Sequence, residues 1–233
     1  MRNLKQNETL DHSMHHSYES NSLKDFLKRI PFLFNFAKSV YIFLLHLNSR
    51  RRWTKLLQSK EVKLNLGSGP TRGKNGWVNV DLFGADINHD LTKGVPLKDN
   101  TVDAVYSSHV FEHIPYKDLV NVISEIRRIL KPGGKLLVCV PNAGLYLRAY
   151  FKNEMFVSYD EMYIPAAVNT NSKIDQLNYI AYLNGDHTFM FDEENIINIL
   201  KMCDFNSVDF REFNPDIDQI ERDFESMYVQ AYK

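Results

Sequence analysis

The chain has 233 residues, 44% of them hydrophobic and 12% aromatic, enough to bury one substantial core with a modest extension beside it. Its 28 Lys and Arg against 29 Asp and Glu leave a formal charge of −1, which argues against nucleic acid as a partner. Its 2 cysteines, Cys139 and Cys203, lack both metal spacing and the density of a disulfide scaffold, and so fit a reducing compartment.

Residues 1–21 are polar, lack apolar periodicity and carry His12, His15 and His16; they read as a disordered, solvated tail. Residues 22–60 read as an apolar and basic helical extension. No early basic region or small-residue cleavage site precedes the first apolar stretch, so the expected location is cytoplasmic. That stretch, Ile30 to Leu47, runs into Arg50, Arg51, Arg52 and Trp53. Asn35, Lys38, Ser39 and His46 interrupt it, which disfavours a spanning helix of about 20 apolar residues. An amphipathic helix on an anionic membrane, with the arginines and Trp53 at the headgroups, would make peripheral contact through residues 30–53. A helix packed on the following domain or on a second subunit is the plainer reading, and the oligomeric state stays open.

From Glu61 to Lys233 short apolar runs bounded by Gly, Pro, Asn and Asp alternate with helical patterns, an α/β rhythm. Strands are expected at Val62–Leu66, Trp77–Leu82, Val102–Ser107, Lys135–Val140, Ser207–Phe213 and Glu225–Tyr232, the last two as a hairpin at the sheet edge. Leu119, Val122, Ile123, Ile126, Ile129 and Leu130 recur at helical spacing over Tyr116–Leu130, and Lys131-Pro132-Gly133-Gly134 stops that helix. Residues 142–186 break the rhythm with many aromatics, among them Tyr146, Tyr150, Phe151, Phe156, Tyr159, Tyr163, Tyr179 and Tyr182. Ligands collect outside the carboxyl ends of parallel strands, so this insertion is expected to bind the acceptor; a satellite core under a long loop is the alternative. Asp192 is placed to cap a further helix, with Glu193 and Glu194 in its first turn.

The strongest chemical signal is Lys63-Leu64-Asn65-Leu66-Gly67-Ser68-Gly69-Pro70, an apolar strand ending in a tight Gly-x-Gly turn. A second strand then ends at Val80-Asp81-Leu82, where such folds place a carboxylate on the ribose hydroxyls. Asp90-Leu91 follows, then Val95 to Tyr106, His109-Val110-Phe111-Glu112-His113-Ile114 and Leu130 to Gly134. Together these runs resemble the class I S-adenosylmethionine-dependent methyltransferases. The wording around Leu64–Pro70 and Gly76–Leu82 is similar to predicted methyltransferases associated with surface-polysaccharide biosynthesis. The resemblance is specific over residues 61–142 and looser through Gly185–Phe191 and Ser226–Ala231. It implies a Rossmann-like doubly wound sheet, mostly parallel with an antiparallel C-terminal edge strand, and S-adenosyl-L-methionine as cofactor. It further implies Asn65, Gly67, Ser68 and Gly69 around the methionine moiety, Asp81 and Leu82 on the ribose, Asp90 and Leu91 at the adenine, and Ser107 and Ser108 with His109 beneath the sulfonium.

Only Pro70 to Gly76 separate the turn from the second strand, whereas a parallel crossover with its helix takes roughly a dozen residues. The first helix is therefore expected to be absent or reduced to a turn, with the apolar stretch before Arg50, or Trp53–Gln58, filling the gap. For the chemistry, a hydroxyl acceptor needs a general base, and His113, then His187, then His109 are the candidates. His109, Glu112 and His113 are also similar to the Glu-x-x-Glu-His metal site of some quinone-biosynthesis O-methyltransferases, with the first Glu replaced; no metal ligand is assigned on that partial motif. The expected acceptor is a small molecule or glycan, foremost a carbohydrate or glycolipid hydroxyl. A phenolic or quinone-like acceptor, or a cofactor-binding but inactive scaffold, are the rival readings.

Overall fold

The computed structural model describes residues 49–163 and 165–233. A helix over residues 49–56 (α1) leads into the alternating order. There follow β1 (Lys63–Leu66), β2 (Trp77–Asp81), β3 (Ile87–Asn88), β4 (Val102–Ser108), α2 (Tyr116–Ile129), β5 (Leu130–Pro141), α3 (Ala143–Phe151), α4 (Ile174–Tyr182), α5 (Glu193–Met202), β6 (Ser207–Phe210) and β7 (Ser226–Tyr232). One 7-stranded sheet runs in the order β3-β2-β1-β4-β5-β7-β6. β1 to β5 pair in parallel, while β7 is antiparallel both to β5 and to β6, the rim strand. This is the expected Rossmann-like architecture with its antiparallel C-terminal strand.

The residues explain the faces. In β1, Leu64 and Leu66 are buried and alternate with half-buried Lys63 and Asn65. The apolar face carries Leu64, Leu66, Val80, Val105, Leu136, Val138 and Val229 in the main core. α2 buries Leu119, Val122, Ile123, Ile126 and Ile129 against that core, each worth about 1.5–3 kcal/mol when fully removed from water. α5 adds Ile196, Ile199 and Leu200; Asp192 caps it, its carboxylate accepting from the amides of Glu194 and Asn195. α2 stops when Leu130 turns to extended dihedrals, one residue before the expected end, and Lys131–Gly134 then form an irregularity between two registers of β4 and β5.

No helix separates β1 from β2, as the short spacing implied. Right-handed crossovers place this connection on the face opposite α2, because the sheet grows from β1 to β2 in one direction and from β4 to β5 in the other. On that face Asn65 pairs in register with Asn79 and Tyr106. Their polar groups are met locally: the Asn65 amide donates to Asn79 at 3.1 Å, Asn79 to the Thr71 hydroxyl at 2.8 Å, and Tyr106 to Asp218 at 3.1 Å. The buried Asp218 in turn accepts from Arg211 at 2.7 Å.

Of the two segments expected to fill this gap, the apolar stretch up to residue 48 lies outside the described residues, and Trp53–Gln58 packs elsewhere. Trp53 and Leu56 are buried, but α1 packs beside the edge strand β3. The amide of Asn88 donates to Ser49 at 3.1 Å, Arg52 donates to the carbonyl of Asp86, and Trp53 meets the His89 ring edge-on. An open sheet edge leaves backbone donors and acceptors unpaired, and α1 supplies those partners. Trp53, named with the arginines in the expected membrane contact through residues 30–53, is buried; that stretch up to residue 48 lies outside the described residues, as does the polar tail. Among the described residues no helix is long and apolar enough to cross a membrane.

Candidate active site

At the carboxyl end of β1 the chain turns at Gly67, whose φ of +72° only glycine adopts without strain and whose amide donates to Val80 at 2.8 Å. A Cβ at Gly67 would lie 2.1 Å from Cγ2 of Val110, so the turn is seated directly on the segment that leaves β4. Oδ2 of Asp81, at the end of β2, accepts from the amide of Gly69 at 2.9 Å and ties the second strand to the same turn. A cavity of about 360 Å³ opens there, walled by Gly67, Asp81, Leu82, Asp90 and Leu91 among others. Asp90 caps the short helix Leu91–Lys93, accepting from the Thr92 amide at 3.0 Å and hydroxyl at 2.7 Å. Its partial burial pushes the carboxyl up, but the two Thr92 bonds outweigh this and hold it below the usual carboxylate range.

Five of the expected cofactor residues are thus gathered on one wall. Asn65 is not among them: it lines a separate cavity of about 380 Å³ on the opposite face of the sheet, with Thr71, Trp77 and Tyr106. Ser68 donates to the Gly69 carbonyl and Ser107 to that of Leu66, so the hydrogen of each hydroxyl is committed to backbone. Gly69 and Ser108 stand at the turn and at the end of β4. The wall also includes His89, Thr92, Val110, Ile114 and Pro115, which the sequence reading did not single out.

A second cavity of about 420 Å³ shares His109 and His113 with the first. Its remaining wall comes from Glu112, Pro141 and His187, from Met162, Tyr163, Tyr179 and Leu183 of the insertion, and from the segment entering β7, with Glu221, Arg222, Phe224 and Glu225. The rings of the insertion divide between a packed cluster and exposed or cavity-lining positions. Tyr146 and Tyr179 are buried in a satellite core with Val157, Met162 and Ile180, whereas Tyr163 faces the cavity and Tyr150, Phe151 and Tyr182 are exposed.

The three histidines converge. His109 sits in the left-handed region at φ +52°, its Nε2 is 2.8 Å from the Ser226 hydroxyl and its Nδ1 is 3.5 Å from Oε1 of Glu112. Burial, aided by Arg222, pushes its pKa down to about 3, so the ring is neutral. Nδ1 of His113 lies 2.9 Å from the Asp186 carbonyl, and Nδ1 of His187 lies 2.8 Å from that of Ile180. A carbonyl only accepts, so each Nδ1 carries the hydrogen and a neutral ring keeps its lone pair on Nε2. Burial also lowers the pKa of His187. The two rings meet edge-on with centroids 5.0 Å apart. Close to both lies Glu112, 1% exposed, with no hydrogen-bond partner on either oxygen; burial pushes its carboxyl up to about 8. Its spacing from His109 and His113 was visible in the sequence, but its burial was not.

Residues 66–138, from the end of β1 into β5, match the methyltransferase domain family. An uncharacterized protein of Methanocaldococcus jannaschii is 38% identical over 74 residues, covering 32% of this chain and 30% of the relative. A probable S-adenosylmethionine-dependent methyltransferase of Mycolicibacterium smegmatis is 42% identical over 57 residues, 24% of this chain and 21% of the relative. The chain therefore spans less than a third of the length of these curated relatives. The crystal structure of a SAM-dependent methyltransferase from Archaeoglobus fulgidus aligns with 80% of this chain and 93% of its own at 16% identity, with a TM-score of 0.47.

Proposed function

We propose that the chain is an S-adenosylmethionine-dependent methyltransferase acting on a hydroxyl of a carbohydrate or glycolipid intermediate. The observation that carries this reading is the pair of cavities that meet at His109 and His113, one on the Gly67 turn and one under the aromatic insertion. The first fits the cofactor by its chemistry. Gly67 presents bare backbone, the second oxygen of Asp81 is free to accept from ribose hydroxyls, and Asp90 and Leu91 offer a carboxylate and backbone to an adenine. Ser68, Gly69 and Ser107 tie the turn to the ends of β1 and β2. When bound, S-adenosylmethionine supplies an electrophilic methyl.

The chain's own task is then to align the acceptor oxygen, keep water away and remove one proton. The bare Nε2 of His113, or that of His187, accepts the hydroxyl proton, while their Nδ1–H bonds to backbone carbonyls hold the rings in place. The acceptor cavity combines the rings of Tyr163 and Phe224 with Glu161, Glu221 and Arg222. Rings that stack on a sugar face, interleaved with carboxylates and a guanidinium that bond hydroxyls, favour a polyhydroxylated acceptor over a phenol or quinone.

Calorimetric titration with S-adenosylhomocysteine, beside Asp81→Ala, tests the cofactor half. Micromolar binding by the parent and its loss in the variant are expected; no binding by a folded parent would overturn the reading. Incubation with a panel of glycan acceptors, following S-adenosylhomocysteine release, tests the other half. Binding without turnover on any acceptor would favour the inactive scaffold.

A further inference from the structure

We propose that Glu112, His113 and His187 form a binding site for one divalent first-row transition-metal ion at the floor of the acceptor cavity. One donor atom from each of the three lies within 4.8 Å of the others, and Nε2 of His113 is 3.8 Å from Oε1 of Glu112. Tetrahedral bonds of about 2.0–2.1 Å space their donors by about 3.4 Å, so small rotations of three side chains close the shell.

Three further observations point to a cation. First, both oxygens of Glu112 are buried without a partner, although an unmet buried acceptor costs about 1–3 kcal/mol. A cation between the rings satisfies that carboxylate. Second, both imidazoles are already held in the tautomer that ligation needs. Each gives its Nδ1–H to a backbone carbonyl, and among the described residues neither Nε2 has a hydrogen-bond partner. This is the outer-partner arrangement that orients ligating histidines. Third, all three residues wall the same cavity and the His113 side chain is 40% exposed, so an incoming ligand can reach the cluster and take a further coordination position. His109 stays outside the set: its Nε2 is engaged with Ser226 and its Nδ1 lies against the same carboxylate. Two nitrogens and one carboxylate suit zinc or a neighbouring ion rather than magnesium or calcium.

Binding stands on this geometry alone. Its chemical role, lowering the pKa of a coordinated acceptor hydroxyl, rests on the methyl-transfer reading above. In the loaded chain the two Nε2 atoms act as ligands, and in the cation-free chain as proton acceptors.

The test is titration of the EDTA-treated full chain with Zn²⁺ by calorimetry, and with Co²⁺ by visible absorption. His12, His15 and His16 are changed to Ala throughout, to remove the competing tail. One ion per chain is expected, with a Co²⁺ band typical of a low-coordinate nitrogen and oxygen shell. Glu112→Gln and His187→Ala should each weaken binding by at least about 100-fold, beyond the 10–100-fold that loss of an outer partner costs. Both variants should bind S-adenosylhomocysteine like the parent, which certifies their fold. No stoichiometric binding, or equal affinity in the parent and in both variants, overturns the site. Loss of S-adenosylhomocysteine binding in every protein, with zinc binding intact, would instead overturn the cofactor reading and leave the metal site standing.

Discussion

Gly67→Ala is the sharpest perturbation of the cofactor turn, because two separate penalties fall on one methyl group. Holding a residue with a Cβ in the left-handed region costs about 1–2 kcal/mol. The new Cβ would also sit 2.1 Å from Cγ2 and 2.8 Å from Cγ1 of Val110, an overlap of the kind that costs about 1–3 kcal/mol in a packed interior. Gly69→Ala is the internal control, since its φ is +68° but nothing lies within 4 Å of the added atom. Urea unfolding should place Gly69→Ala about 1–2 kcal/mol below the parent and Gly67→Ala about 2–5 kcal/mol below it. Because Val110 walls the same cavity, Gly67→Ala should also weaken S-adenosylhomocysteine binding at least tenfold in calorimetry. Adding Val110→Ala removes both Cγ atoms and should recover most of the steric part, visible as coupling above about 1 kcal/mol in a double-mutant cycle. Equal stabilities for Gly67→Ala and Gly69→Ala, with no rescue, would refute the claim that the turn is seated on Val110.

Asp218→Ala should destabilise the chain by about 3–5 kcal/mol, seen as a lowered urea midpoint, because it strands the Arg211 guanidinium, only 10% exposed, and frees the Tyr106 hydroxyl. A loss below about 1 kcal/mol would mean that water replaces the carboxylate there. Glu193 clamps α3 to α5: the Arg148 guanidinium beside it and the Asn142 amide hold its carboxyl at about 2. A depressed carboxylate stabilises the fold above its unfolded pKa and loses that contribution as pH falls towards about 2. With 42% of the side chain exposed, Glu193→Gln should cost only about 0.3–1 kcal/mol at pH 6. The gap from the parent should close by pH 2 in thermal melts, and a gap that persists would assign the effect to packing. Tyr163→Ala should raise the acceptor KM while leaving S-adenosylhomocysteine affinity unchanged, because Tyr163 walls only the second of the two cavities. Equal loss of both affinities would place the ring elsewhere.

The elements legible in the sequence were those whose apolar runs are long enough to show a period. β1, β2, β4, β5 and β7, with α2 and α5, fall within a few residues of expectation, and the missing first helix followed from counting residues between Pro70 and Gly76. β3 was invisible because Ile87–Asn88 is too short for any alternation. That Gly67, Asp81, Leu82, Asp90 and Leu91 come together on one cavity wall was legible because the turn and the two strand ends are local signals. The place of Asn65 was not, since the neighbours it meets on the other face, Asn79 and Tyr106, come from pairing with strands further along the chain. Glu112 shows the same limit: its spacing is local, but its unpartnered burial is produced by residues 186–189 closing over it. The aromatic insertion divided between a core and a cavity wall because hydrophobicity alone does not separate rings that fill a core from rings that line a hollow.

The short connection between β1 and β2 also bears on how the molecule assembles. Asn65 and Asn79 meet at a separation of only 14 positions, so this parallel pair closes with little loss of chain entropy, and each doubling of loop length adds about 0.6 kcal/mol. Leu136 must instead find Ala231 across the whole aromatic insertion and α5 before β7 can slot in beside β5. Non-local pairings of this kind form slowly. The Gly67 turn and Asp81 can therefore take shape while the residues entering β7, which wall the second cavity, are still unplaced. The nascent chain would present the turn of one cavity to solvent before the wall of the other exists.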